Sequence, residues 1–310
     1  MSIKQSVKRV LPWVPGVCTK CVDLYASVLT IISPTLNTKF RYKMNFGRKL
    51  NLNDPQTLNE KILWLKLNTY LKNPLVIQCA DKYAVREYIK DCGCEELLID
   101  MYSAFDRAED INWDELPQQF VLKWNFGAGM NIICADKSKM DKDATIKQLQ
   151  KWGKRKYWLR NSEMQYKYAP KKIVCEKYMS DGNGLLPLDY KVYCFNGKAK
   201  CVFVCIGREY GRPKFYFFDR DWQLYRVNRD SKAAPEGFTL PKPACIDKIF
   251  EYAEKLAAPF PFVRVDLYSI DEKPYFGELT FTPAAGLDSA RLPETDILFG
   301  NMLNIESRKK

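Results

Sequence analysis

The chain has 310 residues, 46% of them apolar and 28% charged, an ordinary balance for a globular protein with a sizeable core. The length suggests about two domains, and no apolar run approaches the ~20 residues of a membrane span. The formal charge is +12 and there are no histidines, which excludes Ser-His-Asp and Cys-His nucleophiles, HExxH sites and His-ligated zinc or haem.

Chemistry must therefore rest on carboxylates, Lys, Arg, Tyr, Cys, metal ions or backbone groups. The eleven cysteines are odd in number. Several, such as Cys194, Cys201 and Cys205, sit in apolar runs, as expected of small hydrophobes in a reducing cytoplasm. Neither Cys18-x-x-Cys21 nor Cys92-x-Cys94 has a second CxxC to complete a four-ligand site. The cationic start, residues 1–10, lacks the cleavage pattern of a signal peptide.

Residues 1–80 hold twelve Lys/Arg against Asp23, Asp54 and Glu60, a net +9. Trp13, Leu24, Tyr25, Leu29 and Ile31 are interspersed, which is the composition of an arm that lies on an anionic membrane surface. Thr57-Leu58-Asn59-Glu60 has the form of a capping box, and Leu58, Ile62 and Leu65 continue a helix toward Tyr70. A second helix is expected over 74–91, opened by Pro74. Residues 120–124 read as a strand, Gly127 and Gly129 as a turn, and 131–134 as a strand. A basic helix follows over 144–158. The stretch 137–172 also carries +9, leaving −6 for the remainder of the chain. No nucleic-acid-binding motif accompanies this charge, so nucleic acid is not an expected partner.

Residues 173–178 read as a strand and 181–184 as a loop. Residues 190–195 and 200–206 form a hairpin around Asn196-Gly197, where both turn positions need positive φ. A strand over 215–218 and a helix over 246–257 follow. A second hairpin pairs 262–269 with 274–281 around Asp271-Glu272-Lys273. Mixed helices and strands with prominent antiparallel hairpins predict an α+β fold rather than a doubly wound parallel sheet.

The last hairpin carries the most chemistry. If its turn centres on Glu272, Asp266 faces Glu278 and Arg264 faces Thr280. All four then share one face, and Val263, Val265 and Leu267 take the other. Directly opposed residues have Cβ atoms ~4.5–5.5 Å apart, so the two carboxylates need a cation, a shared proton or solvent. Mg2+ suits such a pair, because it takes one or two carboxylates and completes its octahedron with water and phosphates. Arg264 is placed to grip a phosphate or a developing oxyanion. Lys123, followed by Phe126-Gly127-Ala128-Gly129, can set one cation and several backbone amides around phosphates, although this is not a Walker A loop.

In this order the motifs resemble ATP-grasp carboxylate–amine ligases, most closely the branch named after the teichuronopeptide biosynthesis protein. The resemblance spans about residues 40–300 and implies an ATP-grasp fold of two α+β subdomains gripping a nucleotide. It implies that Lys82, in Ala80-Asp81-Lys82-Tyr83, and Lys123 reach ATP phosphates beside the Gly127/Gly129 turn. Glu176 and Lys177 would lie on the strand beside adenine, and Asp189 at the ribose hydroxyls. Asp266, Glu278 and Thr280 would be the metal residues, with Arg264 steadying an acyl phosphate. The cofactors implied are ATP and Mg2+. The partners implied are a carboxylate, such as a uronic acid of a surface polysaccharide, and an amine or amino acid. Three positions depart from the family pattern: Thr280 stands for an Asn, Phe126 for a His, and Ala284-Ala285 for glycines.

The expected organisation is a basic arm (1–45), a helical region (46–118), an ATP-grasp catalytic region (119–300) and a basic tail (301–310). The expected location is cytoplasmic, peripheral to the inner membrane face. Two alternatives stand beside the ligase. One is a metal-dependent glycosyltransferase using Asp219-Arg220-Asp221, a motif that equally reads as a turn. The other is an inactive binding protein of the same pathway.

Overall fold

Local signals set the first helices. In the computed structural model, which describes residues 19–180, 187–207 and 210–305, α1 (Thr19–Ile32) is followed directly by α2 (Pro34–Phe46). Pro34 opens α2, and Gly47, at φ 71°, closes it by donating its N–H to Lys43 O. Trp13, the 181–184 loop and residues 306–310 lie outside the described residues. The capping box is present at α3 (Leu58–Leu67): Glu60 N donates to Thr57 Oγ1, and Thr57 N donates to Glu60 Oε2.

The single helix expected over 74–91 is two, α4 (Pro74–Ala80) and α5 (Val85–Asp91). Asp81 turns to extended backbone between them, and its Oδ1 accepts from Tyr83 N and Ala84 N. The break frees Lys82 N to donate to Asn125 O at 3.0 Å, which ties the helical region to the strand region behind it.

Four antiparallel strands form one sheet in the order β1 (Met101–Phe105), β4 (Ile173–Lys177), β2 (Phe120–Trp124), β3 (Asn131–Cys134). Phe120, Leu122, Trp124, Ile173 and Cys175 are buried on it with Leu149 of α6 (Lys142–Gly153). This basic helix ends earlier than expected. A Cβ on Gly153 would stand 2.6 Å from the Trp124 ring, so helix and strand approach too closely for a side chain there. Two short helices follow, α7 (Trp158–Asn161) and α8 (Gln165–Tyr168).

The second sheet has six antiparallel strands in the order β10 (Lys273–Thr280), β9 (Phe262–Ile270), β5 (Asp189–Phe195), β6 (Lys198–Ile206), β7 (Lys214–Phe218), β8 (Leu224–Tyr225). The largest core lies here. Ile249, Phe250, Ala253 and Leu256, on one stripe of α10 (Ile246–Ala257), meet Val192, Val263 and Val265 from the sheet. A short α9 (Arg229–Ala233) precedes α10, and α11 (Pro293–Met302) packs beside α3.

Asn196 (φ 50°) and Gly197 (φ 77°) make the β5–β6 turn with positive φ at both positions. The β9–β10 turn differs from the expectation. It is a two-residue turn at Asp271 (φ 48°) and Glu272 (φ 60°), so Phe276 faces Leu267. A bulge between Phe276 and Glu278 then shifts the register by one, and Glu278 faces Asp266 while Thr280 faces Arg264. Gly277 is the extra residue. A Cβ there would lie 2.9 Å from Asp266 O.

Candidate active site

Alternation on the six-stranded sheet gathers the polar residues. Asp189, Lys191 and Tyr193 of β5 pair directly with Tyr268, Asp266 and Arg264 of β9, and Phe203 of β6 pairs with Lys191. A charged centre on β5, β9 and β10 is thus flanked by an aromatic wall, while Val263, Val265 and Leu267 are fully buried on the opposite face. A cavity of about 470 Å3 separates this face from the four-stranded sheet. Lys82, Lys123 and the Gly127–Gly129 turn line it from one side, and Asp189, Lys191, Arg264, Asp266 and Glu278 from the other.

Within the cavity Asp266 and Glu278 are bridged by Arg264. Arg264 Nε and Nη2 donate to Asp266 Oδ1 and Oδ2, both at 2.6 Å. Arg264 Nη2 also reaches Thr280 Oγ1 at 3.1 Å and Glu278 Oε1 at 3.5 Å. The Thr280 hydroxyl donates to Glu278 Oε1 at 3.1 Å, so it links Arg264 to Glu278. Lys191 Nζ lies 2.6 Å from Asp266 Oδ2 and 3.0 Å from Asp189 Oδ2. Burial alone would raise the Asp266 pKa, but Arg264 and Lys191 outweigh it and hold the carboxyl below its usual range.

Lys123 Nζ pairs with Glu176 Oε2 at 2.6 Å. Lys82 Nζ donates to Gly127 O at 2.7 Å. Burial lowers the Lys82 pKa; Glu278 opposes that shift and the nearby Lys123 adds to it. A second cavity, of about 210 Å3, shares Lys123, Asn131, Asp189 and Tyr268 with the first. Its walls are Ile99, Val121, Ile133 and Met179, with Lys177 at its edge. The two form one cleft, charged at one end and apolar-walled at the other.

All eleven site residues of the sequence reading therefore lie in or against this cleft. Glu176 and Thr280 enter through their bonds to Lys123 and Arg264 rather than as walls. Lys191 was missed, although a lone cation in the otherwise apolar strand 190–195, two residues after Asp189, is a legible signal. Tyr268, which pairs with Asp189, was missed too.

Of the three departures, Thr280 belongs to the cleft through its bonds to Arg264 and Glu278, and the other two lie beside it. Phe126 is buried against Trp124, with Lys171 Nζ 4.8 Å above its ring, and does not line the cleft. Ala284 (φ 49°) and Ala285 (φ 59°) are both left-handed and border a cavity against α1 and α2, and Ala284 also lines a pocket with Arg264, Phe203 and Phe215. Non-glycine residues cost roughly 1–2 kcal/mol each in this region. Ala284→Gly and Ala285→Gly should each raise unfolding free energy by about 1 kcal/mol in urea titrations, less what glycine adds to unfolded-chain entropy. Asp219-Arg220-Asp221 is the β7–β8 turn: Asp219 Oδ1 accepts from Asp221 N and Gln223 N, and Arg220 pairs with Glu254 at 2.6 Å.

The carboxylate pair fits Mg2+ in a limited way. Asp266 Oδ1 accepts only from Arg264 Nε, and Glu278 Oε1 accepts from Arg264 and Thr280, so each carboxylate keeps lone pairs toward the cavity. Among the described residues no cluster of three or more acidic or Cys side chains could cage a metal alone. An ion here would need phosphate and water for its other positions, which is the usual habit of Mg2+.

The fold is similar to that of D-alanine–D-alanine ligase from Bacillus anthracis, at 19% identity over 73% of this chain and 64% of that one, with a TM-score of 0.43. It is also similar to D-alanine–D-alanine ligase from Helicobacter pylori (14% identity, 74% and 62% covered, TM-score 0.41). The L-amino acid ligase from Bacillus licheniformis is a third (13% identity, 78% and 55% covered, TM-score 0.44). The chain spans less than two thirds of the length of each. No curated protein sequence matches it significantly. The TupA-like ATP-grasp family matches residues 60–304, which takes in both sheets and the whole cleft, and the chain belongs to that family.

Proposed function

We propose that the protein is an ATP- and Mg2+-dependent carboxylate–amine ligase. The γ-phosphoryl group of ATP passes to a substrate carboxylate, an amine displaces phosphate from the acyl phosphate, and an amide forms with release of ADP, phosphate and a proton. The observation that carries this reading is one cleft combining four cations (Lys82, Lys123, Lys191, Arg264) with two opposed carboxylates and an apolar-walled annex. Such a reaction depends on positioning and charge neutralisation and needs no histidine.

In this reading the annex takes adenine, with Lys177 at its edge and Asp189 at the ribose. Lys82, Lys123 and Lys191 hold phosphates, and Arg264 steadies the acyl phosphate and the tetrahedral intermediate. Asp266 and Glu278 would hold Mg2+, which when bound neutralises phosphate charge. A uronic acid of a surface polysaccharide as acceptor, and an amino acid as donor, are inferred from the family resemblance. The cysteine usage supports a cytoplasmic enzyme, and the basic arm with its interspersed apolar residues supports a position at the inner membrane face. An ADP-release assay with Mg-ATP against panels of uronic and amino acids, followed by mass analysis, tests it. An amide product is expected; ATP-independent transfer from a nucleotide sugar would overturn the reading.

Lys82 gives this assignment a pH signature. Its proton is held less tightly than that of an ordinary lysine because the side chain is buried. The free enzyme therefore loses this charge at a lower pH than an exposed lysine would. Mg-ATP affinity should fall as pH rises through that lowered value, with proton uptake on binding. Lys82→Arg, which stays charged, should flatten the profile in calorimetric titrations.

A further inference from the structure

The two basic segments that are separate in sequence meet in space. Helix α1 lies on α7: Thr30 Oγ1 donates to Leu159 O at 2.7 Å, and Asn37 Nδ2 donates to Thr30 Oγ1 at 2.7 Å and to Arg160 O at 3.1 Å. Val22, Ala26 and Thr30, four residues apart, form the inward stripe. The opposite side of α1 is apolar as well. Leu24, Tyr25, Val28, Ile31 and Ile32 are exposed, with Leu36 beside them at the start of α2. Six of the fourteen large apolar side chains exposed among the described residues thus fall within positions 24–36. Leu24 and Ile31 are 68% and 69% exposed. A helix apolar on both sides is normally buried on both, and a contiguous exposed apolar stripe marks an interaction surface.

The rim of this stripe is cationic. Lys20, Lys39, Lys43, Arg48 and Lys49 are exposed on and just beyond the two helices, and Arg155, Lys156 and Arg160 are exposed on the neighbouring segment. The only acid between residues 19 and 53 is Asp23, and Arg41 and Arg160 already bind it at 2.5 and 3.2 Å. Residues 1–18 contribute Lys4, Lys8 and Arg9 and no acid. Neither that segment nor a second copy docked through the same face would supply the missing negative charge.

We infer that the α1–α2 face is a peripheral docking surface for an anionic phospholipid bilayer. The apolar stripe lies at the headgroup–acyl boundary, and the surrounding Lys and Arg side chains sit against lipid phosphates. Helices α1 and α2, which carry the apolar stripe, lie outside the family-matched segment, and binding through them does not depend on the ligase reading.

Vesicle sedimentation of the full-length protein tests this, using phosphatidylcholine alone and phosphatidylcholine with about 30% phosphatidylglycerol. The wild type should pellet with the anionic vesicles only, and raising salt from about 50 to about 500 mM should release it. Leu24→Asp/Ile31→Asp changes two exposed positions and should lower the partition constant at least ~10-fold with an unchanged thermal melt. Lys39→Glu/Lys43→Glu should lower it by a similar factor. Equal binding to neutral vesicles, no binding to either kind, or full binding by the Leu24→Asp/Ile31→Asp protein overturns the inference. So does a wild-type dimer that this double variant converts to monomer, since the face would then be a self-association surface.

Discussion

Arg264→Met should lower the rate of ADP release with a productive carboxylate by about 10²–10³-fold, while the nucleotide dissociation constant stays within about threefold. Arg264 already spends Nε and Nη2 on Asp266, Thr280 and Glu278, which leaves Nη1 to meet charge that develops on the substrate. A donor aimed at developing charge acts on the transition state more than on bound ATP, so kcat should fall and the nucleotide constant should not. Arg264→Lys keeps the charge but loses the fork, and should recover only part of the rate. Rapid-quench measurement of ADP formation, with calorimetric titration of Mg-ATP, separates the two quantities. A loss confined to ATP affinity would make Arg264 a phosphate clamp instead.

Asp266→Asn should destabilise the fold by about 3–5 kcal/mol as well as remove Mg2+-dependent turnover. The Arg264 and Lys191 side chains are only 13% and 11% exposed, and Asp266 is the carboxylate they share. Neutralising it leaves two close cations largely out of water. Lys191→Met in the Asp266→Asn background should restore part of the loss, and the double-mutant coupling, read from urea unfolding, measures it. The folded carboxyl sits below its usual range, so its contribution is complete above that range and disappears as pH falls through the lowered value. Asp266→Asn should therefore flatten the acid limb of the stability profile.

The β9–β10 constellation was legible because local rules decide it. Val263, Val265 and Leu267 alternate with Arg264 and Asp266, and a hairpin turn sets which residues oppose. The expected turn was off by one residue, yet Asp266 still meets Glu278 because the bulge compensates. The break at Asp81 was not legible. Asn125 Nδ2 reaches Asp81 Oδ2 at 2.7 Å from a distant strand end, and no periodicity within 74–91 reports that bond. Lys191 stands out as a lone cation in an apolar strand, but its pairing with Asp266, 75 residues away, is not reported by any local pattern. The docking of α1 on α7 is similarly non-local, resting on polar bonds between Thr30, Asn37 and residues 159–162. Charge counting found both basic segments but not that they are neighbours.

The extra residue at Gly277 has a consequence for length variation in this hairpin. On the turn side of it Phe276 faces Leu267, and on the far side Glu278 faces Asp266, so the partner strand is read without a skip. Excising Gly277 would leave every remaining pair with its present partner. The hairpin would be one residue shorter and its ladder unbroken, with Glu278 still opposite Asp266 and Thr280 still opposite Arg264. What the glycine adds is curvature, since a bulge bends its strand and increases the local twist. Identity of partners and tilt of the strand are therefore separately adjustable here, and a one-residue deletion would change the aim of the Glu278 carboxylate without changing what it faces.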